Sequence, residues 1–203
     1  MRIGLDFDNT IVCYDQAIHS LSQKINGLPS DIERTKLGIK DFLKRSGRDT
    51  EWTRFQGELY GPGMAYARPF DGALATMHQL LKSDHQLFII SHRSRVPYAG
   101  PPYDLHLAAR NWIEDHLNRS GLYFATECNA NVFFLESLHE KLNMINQKQC
   151  DLFLDDLSNV LSSSSFPDNT FPILFDPSRN DTSLEVLASW KHLPKLISSL
   201  ERL

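Results

Sequence analysis

Met1-Arg2-Ile3-Gly4-Leu5-Asp6-Phe7-Asp8-Asn9-Thr10 opens the chain. Residues 2–7 form a brief apolar run that passes directly into polar residues, as a buried parallel strand does. Alternate residues of a strand share a face. Leaving the strand at Phe7 therefore puts Asp6 and Asp8 together at the C-terminal edge of a sheet. In open α/β folds that edge binds ligands. Two carboxylates so close repel each other unless a cation joins them or one keeps a proton. Taken alone, the pair is equally explained as two solvated loop aspartates.

Four further runs follow, at 86–91, 131–135, 151–154 and 172–175, each rich in Ile, Leu, Val or Phe. Helical spacings lie between them. Asp71 is a candidate cap for a helix with Leu74, Met77 and Leu81 on one face. Residues 103–119 carry Leu105, Ala108, Trp112 and Ile113, with Gly121 as a stop. Residues 137–147 carry Leu138, Leu142 and Ile145, and Leu193, Leu196, Ile197 and Leu200 suggest a closing helix. Strand–helix alternation predicts a Rossmann-like, doubly wound parallel α/β sheet.

Residues 14–68 break the rhythm. Ile18, Leu21 and Ile25 have helical spacing. Ser30-Asp31-Ile32-Glu33 reads as a capping box opening a second helix. Trp52, Phe55 and Leu59 mark a third, ending at Gly61-Pro62-Gly63. The expected organisation is a core of 1–13 and 69–203 with a small helical insertion at 14–68.

Chemistry-bearing residues recur at run ends. Ser91 closes the second run, where its hydroxyl can donate to a phosphoryl oxygen or merely cap the next segment. Lys141 sits on a helix, ordinarily the place of a solvated charge. Asp155-Asp156 follow the fourth run, and Asp156 has a helix cap as its simple reading. Apolar-DxDxT, apolar-Ser, Lys and apolar-Asp-Asp, in that order, resemble the haloacid dehalogenase superfamily over about 2–7, 70–95 and 130–176.

The resemblance implies a Mg2+-dependent phosphohydrolase acting on a small phosphorylated metabolite, such as a nucleotide or sugar phosphate. Asp6 would be the nucleophile and Asp8 the acid and base. Mg2+ would bind Asp6, the Asp8 main-chain carbonyl and Asp155, with Asp156 as a ligand or behind one. Ser91 and Lys141 would hold the transferring phosphoryl. Metal-independent dehalogenases of the superfamily lack the second aspartate, so Asp8 argues against carbon–halogen cleavage. The insertion stands where the family carries a cap. A phosphomutase and a non-catalytic scaffold are the alternatives; intact Asp6, Asp8, Lys141 and Asp155 argue against the scaffold.

His92 and Arg93 follow Ser91 and begin a segment, 93–103, rich in Arg, Tyr, Gly and Pro. It suits an anionic, ring-bearing leaving group, with Arg93 the first candidate; a proline-stiffened connector is the plain alternative. His92 is equally a packing residue. The insertion's Arg68 is a further candidate.

The 203 residues, 41% hydrophobic and 23% charged, are ordinary for a globular protein large enough to bury a core. A formal charge of −4 gives no basic field for a nucleic-acid polymer or a membrane surface. Cys13, Cys128 and Cys150 form no CxxC pair, so buried thiols are expected. Acidic residues come too early for a signal peptide and no apolar run is long enough to span a bilayer, which makes cytoplasm the expected location. Oligomeric state has no signature in the sequence.

Overall fold

In the computed structural model, residues 1–125, 130–178 and 184–202 are described, so Cys128 lies outside them. They contain a six-stranded sheet of β1 (Arg2–Leu5), β2 (Gln86–His92), β3 (Val132–Leu135), β4 (Leu152–Asp155), β5 (Phe171–Phe175) and β6 (Glu185–Leu187). The α-helices are α1 (Asp15–Ser22), α2 (Lys36–Arg45), α3 (Asp49–Tyr60), α4 (Ala73–Lys82), α5 (Leu105–His116), α6 (Leu138–Gln147), α7 (Ser158–Leu161) and α8 (Leu193–Leu200). The chain divides into two compact units.

The first unit comprises Met1–Val12, Pro69–His92 and Leu117–Leu203, and holds the sheet. Its strand order is β3-β2-β1-β4-β5-β6, with every pairing parallel. The predicted doubly wound sheet is therefore present. Ile3 and Leu5 of the central strand are fully buried, as a strand covered on both faces requires. Gly4 is demanded by a close approach: a Cβ there would strike the Phe153 ring on β4. From β1 the chain moves out through β2 and β3, then returns to the other side of β1 for β4. That reversal makes the C-terminal ends of β1 and β4 the topological switch point, where such sheets form their binding crevice.

Several boundaries differ from expectation. β1 stops at Leu5, two residues early. The Asp6 N–H still donates to the Leu154 carbonyl at 2.8 Å, but the Phe7 carbonyl then accepts from Ile11 and Val12 and turns the chain. Asn9 sits in the left-handed region at φ 57°, which Asn tolerates better than most residues. Asp71 does not cap α4: its carboxylate pairs with Lys191 at 2.6 Å, and Gly72, at φ 81°, precedes the helix without a side-chain cap. The buried face of α4 is Ala73, Thr76, Met77 and Leu80, leaving Leu74 and Leu81 half-buried. The short edge strand β6 was unforeseen. By contrast, α6 opens on a full capping box between Ser137 and Glu140.

The second unit comprises Cys13–Arg68 and Arg93–His116 and is helical. Its α3 buries Trp52, Phe55 and Leu59 as their spacing predicts, and ends at Gly61. Ser30–Glu33 is not the capping box of α2. Thr35 is the cap, its Oγ1 accepting from the Gly38 N–H at 3.1 Å. The upstream chain folds back against the helix start, so that a Cβ on Gly38 would meet the Glu33 carbonyl. Ile25 lies beyond α1, in a turn.

Candidate active site

Two strands of the first unit deliver carboxylates to the switch point. Asp6 directly follows β1, and Asp155 is the last residue of β4. Helix α6 projects Lys141 inward, fully buried. Its Nζ lies 2.6 Å from Asp6 Oδ1 and 2.6 Å from Asp155 Oδ2, donating to both. The Leu157 N–H donates to Asp155 Oδ1 at 3.0 Å and fixes that carboxylate. Thus Lys141, singled out by the order of motifs, is the centre of a buried ionic network and not a solvated helix charge.

Burying an ammonium costs several kcal/mol, recovered only when the charge is closely paired. Burial pushes the Lys141 pKa down, but Asp6 and Asp155 more than reverse this and hold it above its usual value. Burial pushes the Asp6 carboxyl well above the carboxylate range. Lys141 opposes that rise, while Asp155, Asp156 and Asp8 add to it. The site thus carries more negative charge than its ammonium can balance.

One carboxylate oxygen each from Asp6, Asp155 and Asp156 lies within 4.8 Å of the others. Such a hard, all-oxygen, anionic donor set fits Mg2+ rather than a thiophilic metal. The Asp8 side chain is not in this trio. The family resemblance implies Asp8 as a metal donor through its main-chain carbonyl, not its side chain. Asp8 is half-buried, in the turn after β1, and forms an isolated backbone bridge with Val12.

Ser91 is buried near the end of β2, in register with Phe134 of β3. Next to it, His92 is half-buried. Burial and Lys141 lower its pKa, against the pull of Asp155 and Asp8, so it lies within the field of the same cluster. Its Nδ1 is buried without a hydrogen-bond partner among the described residues. Arg93 belongs to the second unit, where its Nη2 donates to the Tyr60 carbonyl at 3.0 Å and its Cζ stands 5.7 Å from that ring's centroid. Arg68, also in that unit, donates through Nη1 to the carbonyls of Ala65 and Ala67.

One positioning contact escaped sequence reading. Trp190, fully buried, donates its indole N–H to the Thr10 carbonyl at 2.9 Å, and Thr76 Oγ1 donates to the Trp190 carbonyl at 3.1 Å. The turn carrying Asp8 is thereby tied to the end of the chain. A lone Trp before a closing helix was the available signal, since a buried indole N–H needs an acceptor.

No family model matches the chain, and no curated protein matches it in sequence. Solved structures do match in fold. A magnesium-bound putative HAD-hydrolase, YfnB from Bacillus subtilis, is 15% identical, with a TM-score of 0.57 over 97% of this chain and 98% of that one. A predicted phosphoglycolate phosphatase from Haemophilus somnus is 12% identical, with a TM-score of 0.56 over 97% of each chain. A dehalogenase is also 12% identical, with a TM-score of 0.55 over 96% of each. At these identities the likeness is one of fold.

Proposed function

We propose that this chain, which has the fold of the haloacid-dehalogenase-like hydrolases, is a Mg2+-dependent phosphomonoesterase acting through an aspartyl-phosphate on Asp6. The observation that carries the reading is Lys141 Nζ at 2.6 Å from both Asp6 and Asp155, beside Asp156, at the switch point. A structural ion pair has no need of two further carboxylates pressing on the first. A site for a divalent cation and a phosphoryl group does.

Asp6, Asp155 and Asp156 would hold Mg2+, with the Asp8 main-chain carbonyl as a further donor. Bound there, the cation supplies positive charge that offsets the carboxylates and the phosphoryl oxygens. The Asp6 carboxylate attacks phosphorus as the bond to the leaving oxygen breaks, and Asp8 in its acid form gives that oxygen its proton. Asp8, now a carboxylate, takes a proton from water as the water oxygen attacks the same phosphorus. Inorganic phosphate leaves and Asp6 is restored. Lys141 and Ser91 place donors against the phosphoryl oxygens, where charge stabilisation is the main demand.

The substrate class is a small phosphorylated metabolite. Phosphate release from p-nitrophenyl phosphate, with Mg2+ or with chelator, tests the reading. Turnover should require Mg2+ and vanish in Asp6→Asn, which keeps the shape but loses the attacking oxygen. Chloride release from a 2-chloro acid, without phosphate release, would favour the carbon–halogen chemistry of the dehalogenase neighbour instead.

A further inference from the structure

The turn that carries Asp8 is closed at its base and held at its far side. At the base the Phe7 carbonyl accepts from the N–H groups of Ile11 and Val12, at 3.1 and 3.0 Å. On the far side the Thr10 carbonyl accepts from the Trp190 indole N–H at 2.9 Å, and the Ile11 carbonyl accepts from the Phe70 N–H at 2.9 Å. Thr10 is fully buried, and its hydroxyl has no hydrogen-bond partner among the described residues. Its tie to Trp190 therefore runs through the main chain, which sets the course of the turn. Between Asp8 and Thr10, Asn9 occupies the left-handed region at φ 57°, a conformation that persists where its surroundings hold it.

Trp190 is itself placed from two sides. Its carbonyl accepts from Thr76 Oγ1 of α4 at 3.1 Å, and its ring lies against Phe175 at the end of β5, with centroids 6.2 Å apart. Phe175 in turn packs edge-on against Phe70 at 4.9 Å. All these residues belong to the first unit, and Trp190 is fully buried. An indole so held is a donor with little freedom to move. Without its N–H the Thr10 carbonyl is buried with no partner, which is costly. The peptide must then rotate toward another donor or admit water, and either change shifts Asn9 and Asp8. A misplacement of about 1 Å can cost roughly 100-fold in rate.

We propose that Trp190 is a positioning residue for Asp8, its indole N–H holding the Thr10 carbonyl so that the Asp8 carboxyl meets the leaving oxygen. The inference rests on the phosphatase reading, in which Asp8 gives that oxygen its proton as the bond to phosphorus breaks.

Two substrates compared by kcat/KM in Mg2+ test it, because kcat/KM covers every step up to departure of the leaving group. Phenolate leaves readily only with a proton, whereas 2,4-dinitrophenolate leaves without one. Trp190→Phe keeps an aromatic ring and loses the N–H. It should lower kcat/KM on phenyl phosphate at least about tenfold and on 2,4-dinitrophenyl phosphate less than about threefold. A smaller folded fraction cannot produce that split, since it scales both substrates alike. Trp190→benzothienylalanine, which puts sulfur in place of the N–H and keeps the bicyclic shape, should give the same split and decides alone if Trp190→Phe does not fold. Equal losses on the two esters, or no loss on either, in the presence of an active wild type would overturn the proposal and leave the phosphatase reading standing. A wild type that releases phosphate from neither ester would overturn both.

Discussion

Lys141→Met is the sharpest probe of the buried network. It keeps much of the side chain's length and apolar stem while removing the charge that Asp6 and Asp155 share at 2.6 Å each. Breaking a buried pair by deleting one partner costs roughly 3–5 kcal/mol, because the remaining charge stays buried. Asp6 limits the loss by taking up a proton, since burial already raises its pKa and the opposing ammonium is gone. A carboxyl with a raised native pKa favours the folded state less as pH climbs above the unfolded value, because the native form must then hold a proton the unfolded form has lost. The variant's deficit should therefore be larger at pH 8 than at pH 5.5. Urea unfolding in chelator measures it, and for a chain of this size the melting temperature should fall by roughly 6–20 °C. In an Asp6→Asn background the same replacement should cost at least about 1.5 kcal/mol less, as coupled neighbours do. A loss under about 1 kcal/mol at both pH values, or strict additivity in the cycle, would refute the reasoning.

Three further outcomes follow from contacts away from the chemistry. Trp190→Phe removes the N–H bonded to the Thr10 carbonyl and should lower unfolding stability by about 1–3 kcal/mol, measured by urea denaturation, because the acceptor is left buried. Glu140→Ala breaks the reciprocal cap on α6 and should lower stability in the same assay, by less in a Ser137→Ala background where the cap is already lost. Burial pushes the Cys150 thiol up to about 12, so it stays protonated in the native state while the unfolded thiol ionises near pH 8.5. Native stability should then decline above that pH by up to about 1.4 kcal/mol per unit, relative to Cys150→Ala measured alongside.

The cluster of Asp6, Lys141 and Asp155 was legible because the resembled motifs put particular side chains at strand ends. Asp6, Ser91 and Asp155 each close or follow an apolar run, and such runs can be read without knowing their neighbours. What could not be read depends on neighbours remote in sequence. Asp71 looked like a cap, but Lys191, 120 residues away, takes its carboxylate. Ser30 and Glu33 had the spacing of a capping box; Thr35 won because the chain before it folds back on the helix start. Strand β6 has three residues, only Leu187 of them buried, and is held by pairing with β5 rather than by its own pattern. Lys141 was named from the order of motifs. Its contact with both Asp6 and Asp155 arises because α6 packs against β2 and β3 and turns the lysine toward β1 and β4. Among the described residues no helix is long and apolar enough to cross a membrane.

Chemical capture of the covalent intermediate tests the central proposal most directly. The enzyme is turned over on p-nitrophenyl phosphate with Mg2+, quenched in acid and treated with borohydride, which reduces an aspartyl-phosphate to homoserine. Peptide mass spectrometry should then find homoserine at position 6 in the wild type and none in Asp6→Asn. Homoserine at another aspartate, or unmodified Asp6 in an enzyme that is demonstrably releasing phosphate, would contradict the account.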